Sequence, residues 1–164
     1  MTRAYIGLGA NLGHAADAVQ QAINALDQIP DTVLVAASRL YHSAPVGYAD
    51  QPDFVNAVAC VDTQLDPHSL LEALFDIEHR FGRERTFRNA PRTLDMDVLL
   101  YGDLSMHDDR LTIPHPRMHE RGFVLLPLQD IAPGLTLPGH GDSRTLLQKI
   151  ETSDLRPVAD NGNQ

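Results

Sequence analysis

Apolar residues along the chain recur with two periods. Arg3 to Leu8 is a compact apolar run that predicts a first strand, followed by a turn at Gly9–Gly13. Val19, Ala22, Ile23, Leu26 and Ile29 recur at helical spacing, and Pro30 stops the pattern. Val33 to Tyr41 alternates weakly and predicts a second strand; a Pro/Gly-rich loop spans His42 to Asp53, and Phe54 to Thr63 predicts a third strand. Asp66 and Pro67 suit an N-cap and first helical residue, ahead of an apolar stripe through Leu70, Leu71, Leu74, Ile77 and Phe81, with Gly82 as C-cap. A loop over residues 83–92 leads into a strand from about Thr93 to Tyr101, in which Leu94, Met96, Val98 and Leu100 take alternate positions.

This order, β-α-β-β-α-β, predicts an α+β fold: two helices on one face of an antiparallel sheet, a ferredoxin-like sandwich with C-terminal additions. Residues 102–142 are turn-rich, with short helical pieces near Pro116–Glu120 and Phe123–Asp130, and a last helix spans Ser143 to Ile150. We expect one domain over residues 1–153 and a polar, frayed tail over 154–164. No internal repeat or interdomain linker interrupts the 164 residues.

Composition narrows the function. No run reaches the length of a membrane span, and the N-terminal apolar run is too short for a signal peptide. Cys60, the single cysteine, sits in an apolar strand and reads as a buried thiol, so the expected compartment is the cytoplasm; the expected state is a monomer. A net charge of −9 disfavours a nucleic-acid binder. Yet Arg80, Arg83, Arg85, Arg88 and Arg92 cluster between the second helix and the last strand, which points to a small anionic ligand; Arg80 alone reads as a solvated helix end. Lys149 is the only lysine, which excludes a Walker-type phosphate loop, and Gly7, Gly9 and Gly13 miss the dinucleotide spacing because position 12 is leucine. Any phosphate chemistry here must rest on arginine and metal.

The last strand offers candidate metal ligands. Asp95 and Asp97 lie two residues apart, so they project from one strand face with Cα atoms roughly 6.6 Å apart. With carboxylates about 5 Å apart and an effective dielectric near 20, their repulsion is on the order of 3 kcal/mol. A pair of Mg²⁺ ions matches that spacing and charge. An isolated Asp-x-Asp is commonly a solvated strand end; the arginines beside it favour the metal. Asn56 in an apolar strand needs hydrogen-bond partners. By themselves, His115 between two prolines reads equally as a rigid turn residue and Phe123 as core.

Four blocks carry a resemblance that runs from about Ala4 to Pro138. They are Tyr5–Gly13 (YIGLGANLG), Asp50–Ala57 (DQPDFVNA), Ala90–Asp97 (APRTLDMD), and Arg110–Met118 (RLTIPHPRM) with Arg121-Gly122-Phe123. In order and spacing they resemble the 6-hydroxymethyl-7,8-dihydropterin pyrophosphokinase family, which moves the terminal pyrophosphoryl group of ATP to the pterin's hydroxymethyl oxygen and releases AMP in folate biosynthesis. The resemblance implies that Asp95 and Asp97 hold two Mg²⁺ ions and act in catalysis with Arg83 and Arg92. It implies ATP contacts from Glu78, Arg85, Arg110, Thr112, His115 and Arg121, with ATP as co-substrate. It implies a pterin pocket of Ser43, Val46, Phe54, Asn56 and Phe123, the two phenylalanines stacking on the ring, and a ferredoxin-like fold. The sequence departs from the family pattern at Met96, Ala90, Asn89 and Pro116, where an aliphatic, a glycine, a tryptophan and a tyrosine respectively are found in members. Two other classes fit an Asp-x-Asp strand: another Mg-dependent nucleotidyl- or glycosyltransferase, which would bind no pterin, and a noncatalytic ligand-binding module, which would release no AMP.

Overall fold

The structure, a computed structural model, describes residues 1–11, 13–44, 53–81 and 94–159. Its frame is a mixed α/β arrangement around an antiparallel sheet. β1 (Thr2–Ala10) lies between β4 (Phe54–Thr63) and β5 (Asp95–Tyr101). On its other side β4 pairs in succession with β3 (Tyr41–Ser43) and β2 (Thr32–Ala37). All these pairings are antiparallel.

Strand alternation divides the sheet into two faces. Ala4, Ile6, Leu8 and Ala10 of β1 and Val55, Ala57, Ala59 and Val61 of β4 point to one core. There they meet α1 (Ala15–Leu26) through Val19, Ala22, Ile23 and Leu26, and α2 (Pro67–Phe81) through Leu70, Leu71, Leu74 and Ile77. Asp66 caps α2 as its sequence predicts, Oδ1 accepting the Ser69 N–H at 2.8 Å. On the opposite face Tyr5, Val58 and Cys60 pack beneath α3 (Gly122–Ile131).

The expected strand from Val33 to Tyr41 is two strands. Ser38 Oγ accepts the Val58 N–H at 2.9 Å while Ser38 N–H donates to the Val58 carbonyl at 2.8 Å. The hydroxyl takes a ladder position that the main chain would otherwise occupy, and the strand breaks between Ala37 and Tyr41. A second correction concerns β5. Tyr5 pairs with Leu100 but Ile6 pairs with Val98, so Leu99 is an inserted residue, a β-bulge. The alternation flips there: Leu100 joins Leu99 on the α3 face instead of continuing the row of Leu94, Met96 and Val98.

Beyond β5 the turn-rich stretch holds two small hairpins that its sequence did not announce. β6 (Met106–His107) pairs with β7 (Thr112–Ile113), and β8 (Thr136–Leu137) pairs with β9 (Gly141–Asp142). The predicted helical pieces are a 3₁₀ turn at Met118–Glu120, α3, and α4 (Ser143–Gln148). Within the stretch expected as a tail from residue 154, β10 (Arg156–Pro157) pairs with β3 and adds a strand at the sheet edge. Two-residue pairing suffices because β3, itself three residues long, offers an unpaired edge.

Candidate active site

Asp95, Asp97 and Leu99 project from β5 toward the α3 face, and a cavity of about 320 Å³ opens in front of them. Its floor is β1. Gly9 stands in register with Asn56 on one side and Asp95 on the other, and Gly7 stands opposite Asp97. Neither glycine has a positive φ; what they provide is room. A Cβ on Gly9 would lie 3.0 Å from Asn56 Oδ1, and one on Gly7 would lie 3.3 Å from Leu99 Cδ2. Two side chains are thereby removed from the centre of the sheet, and a flat ligand can rest on backbone.

The walls come from β3, β4 and α3. Asn56 is buried in β4, and its Nδ2 donates to the equally buried Ser43 Oγ of β3 at 2.8 Å. This bond fixes the amide orientation and turns Oδ1 over Gly9. Phe54 and Phe123, both partly buried, line the same cavity from β4 and α3, with Ala44 and Val124 beside them. The guanidinium carbon of Arg121 sits 5.5 Å from the centre of the Phe123 ring, a cation–π contact that leaves the arginine facing the cavity. Asp130, two turns along α3, accepts the Tyr41 hydroxyl at 2.8 Å and the Arg39 N–H at 3.1 Å, tying α3 to β3.

The structure thus gathers seven predicted residues around one space: Ser43, Phe54, Asn56, Asp95, Asp97, Arg121 and Phe123. The other described candidates are not among its lining residues. Glu78 is buried at the end of α2, where Oε2 accepts the Met96 N–H at 2.7 Å and so holds the strand between the two aspartates. Arg110 is ion-paired with Glu72 on the surface of α2. Its backbone N–H, with help from His68, keeps the Asp108 carboxyl below the usual carboxylate range. Thr112 Oγ1 lies 2.7 Å from His107 Nδ1 on the β6–β7 hairpin. His115 donates its backbone N–H to the Leu99 carbonyl at 2.9 Å, so it hangs from the bulge that borders the cavity. Its Nδ1 accepts the Arg117 N–H at 3.1 Å. Burial, reinforced by the positive charges of Arg121 and Arg117, pushes the ring's pKa down to about 4. At neutral pH the imidazole is therefore uncharged, with its proton on Nε2 and available to an acceptor. Val46, Arg83, Arg85 and Arg92 lie outside the described residues.

Gly7, Gly9 and Leu99 are cavity residues that the sequence reasoning did not assign. β1 runs through Gly9 to Ala10, where a turn was expected from Gly9; read as one strand, the Gly-x-Gly pair is the signal that could have found the first two, since glycine within a strand marks a close backbone approach. Nothing in the alternation could reveal the bulge. Among the described residues no group of three or more His, Cys, Asp or Glu side chains is placed to hold a metal. The carboxylates of Asp95 and Asp97 are hard oxygen donors facing an open space, a set that suits Mg²⁺ sharing its shell with ligand phosphates and water. No described helix is long and apolar enough to cross a membrane.

Comparison with known proteins brings the pattern together. The family model described as 7,8-dihydro-6-hydroxymethylpterin-pyrophosphokinase matches residues 5–133. A Pseudomonas aeruginosa protein named 2-amino-4-hydroxy-6-hydroxymethyldihydropteridine pyrophosphokinase is 51% identical over 136 residues, covering 83% of this chain and 84% of its own. Proteins of the same name from Haemophilus influenzae and Methylorubrum extorquens are 49% and 43% identical, covering 84% and 96% of this chain and 86% and 99% of theirs. In fold, the chain is similar to the crystal structure of Plasmodium falciparum HPPK-DHPS with SDX-DHP, with a TM-score of 0.74 at 15% identity. That match covers 98% of this chain but 48% of the other, so this chain spans about half the length of that solved chain.

Proposed function

The chain belongs to the 7,8-dihydro-6-hydroxymethylpterin-pyrophosphokinase family, and from that premise we propose how its own residues divide the work of moving pyrophosphate from ATP to 6-hydroxymethyl-7,8-dihydropterin in folate biosynthesis. One observation carries the assignment: a metal-type carboxylate pair and a buried amide–hydroxyl pair open onto the same cavity across a floor of two glycines. The first suits a phosphate chain and the second a planar heterocycle with hydrogen-bonding edges. The cavity's size falls at the lower end for small-molecule sites, which a bicyclic ring fits.

Asn56, oriented by Ser43, reads the pterin edge, while Phe54 and Phe123 stack on its faces and Val46 completes the pocket. Asp95 and Asp97 would hold two Mg²⁺ ions, which supply charge neutralisation along the phosphates and a lowered pKa at the attacking hydroxyl. Arg121 at the cavity, together with Arg83 and Arg92, offsets the charge that remains. His115 offers Nε2–H, and Arg85, Arg110 and Thr112 supply further nucleotide contacts. Glu78 acts through Met96, fixing the strand that carries the carboxylates. In the reaction the hydroxymethyl oxygen bonds to the β-phosphorus of ATP as the bond from that phosphorus to the α–β bridging oxygen breaks. AMP leaves with the bridging oxygen and the hydroxyl proton passes to solvent. On this reading the strand order β5-β1-β4-β2, with α1 and α2 on one face, is a ferredoxin-like core to which β3 and β10 are added, and the enzyme works as a cytoplasmic monomer.

The test is chromatographic detection of AMP and pterin diphosphate from ATP, Mg²⁺ and 6-hydroxymethyl-7,8-dihydropterin. Wild type should form both in equal amounts. Asp97→Ala should fold normally and lose activity by at least about a thousandfold. Turnover near the wild-type rate in that variant would remove the carboxylate pair from the mechanism.

A further inference from the structure

The segment from Ile150 to Val158 has no part in the chemistry above, yet it touches both walls of the cavity. Against α3 it fills the space over Gly122, the residue before Phe123. A Cβ on Gly122 would stand 3.3 Å from Ile150 Cγ2, Thr152 Cγ2 and Leu155 Cδ1. Against β3 the contacts are hydrogen bonds. Asp154 Oδ2 accepts the N–H of Ala44, the cavity residue next to Ser43, at 3.1 Å. Arg156 pairs with His42 and Pro157 with Tyr41, and Val158 N–H donates to the Leu40 carbonyl at 2.8 Å. The Arg156 guanidinium then reaches Asp53, the residue before Phe54, at 3.5 Å.

Resting on the pterin reading of this cavity, we infer that the C-terminal segment is a positioning clamp for the pterin, with Asp154 and Arg156 as its positioning residues. Three of its grips fall next in sequence to a pocket residue: Gly122 before Phe123, Ala44 after Ser43, Asp53 before Phe54. β3 is three residues long and would otherwise be held along one edge only. A shift of about 1 Å in so short a strand takes Ser43 out of hydrogen-bond range of Asn56 and frees the amide to turn. The clamp's polar contacts are at the surface, with the Arg156 and Asp53 side chains 64% and 39% exposed. Exposed pairs of this kind add little to global stability, so their effect is expected on ligand geometry rather than on folding.

The experiment is calorimetric titration of full-length protein, first with α,β-methylene-ATP and Mg²⁺, then with 6-hydroxymethyl-7,8-dihydropterin, beside steady-state kinetics and thermal melting. Asp154→Ala should raise the pterin Kd and KM about five- to tenfold, the scale of one lost hydrogen bond, with the nucleotide Kd unchanged and Tm nearly unmoved. Asp154→Asn keeps a carbonyl oxygen for the Ala44 N–H and should restore wild-type pterin binding. Arg156→Ala should cost about twofold, as fits an exposed pair. Unchanged pterin affinity in Asp154→Ala, against normal binding in wild type, overturns the clamp and leaves the cavity assignment intact. Parallel losses for both ligands with a lowered Tm also overturn it, because the contact is then merely structural. Wild type that binds nucleotide but no pterin overturns the cavity assignment itself, and the clamp with it.

Discussion

Gly9 and Asn56 face each other across the β1–β4 ladder, and the space between them is smaller than a methyl group requires. Gly9→Ala puts a Cβ against Asn56 Oδ1, and the flanking strands hold both backbones in place. The amide must give by a few tenths of an ångström, which strains its bond to Ser43 inside a buried site. We expect pterin affinity to fall about tenfold or more, with nucleotide affinity preserved, in the same calorimetric assay. Asn56→Ala should behave alike; equal losses for both ligands in either variant would indicate damage to the sheet instead. His115 makes a prediction about pH. Its folded pKa of about 4 lies below the usual 6.5, so the unfolded chain binds the extra proton between those values. The neutral ring's contribution to stability is complete above about pH 6.5 and is lost as pH falls toward 4. For a half-buried ring the loss is about 1–2 kcal/mol once solvent screening is allowed for. Urea unfolding between pH 7 and about pH 4 should show it in wild type, and His115→Gln should show a correspondingly shallower decline.

At the scale of elements, β5 is the strand that carries both the carboxylate pair and part of each core, and its outer edge is held from α2. Glu78 occupies the place a neighbouring strand would take, receiving the Met96 N–H within a buried setting. Glu78→Ala leaves that N–H unpaired and should lower unfolding free energy by about 2–3 kcal/mol. Glu78→Gln retains an acceptor oxygen and should recover most of it. If alanine and glutamine variants unfold at the same urea concentration, the hydrogen bond is not what holds the strand. The bulge at Leu99 explains why one strand can serve two needs. Before it, Leu94, Met96 and Val98 seal the helix side while Asp95 and Asp97 face the cavity. After it, Leu100 is free to pack under α3.

For the whole molecule, the helices and long strands were legible because each is a run of one period with a chemical end: Asp66 and Pro67 open α2, and Pro30 closes the stretch after α1. The carboxylate pair was legible for the same reason, since alternation alone puts Asp95 and Asp97 on one face. Three of the features that were hidden share a cause. The Ser38 interruption depends on a hydroxyl finding Val58 across the sheet, a partner twenty residues away. The bulge depends on how β5 meets Tyr5 and Ile6. The pairing of β10 depends on an edge that exists only after β3 has formed. All three are tertiary decisions acting on segments too short to carry a period of their own.

β1 is drawn from the first ten residues, yet it is an interior strand, with Gly9 paired to Asn56 on one flank and to Asp95 on the other. Helix formation within α1 and α2 needs only neighbours in the chain, whereas seating β1 requires closing two long loops, the slow kind of step in folding. A chain with both helices made and β1 still unseated therefore has secondary structure but no floor under its ligand. The capacity to hold a pterin arrives with the longest-range contacts and belongs to the finished topology rather than to any fragment of it.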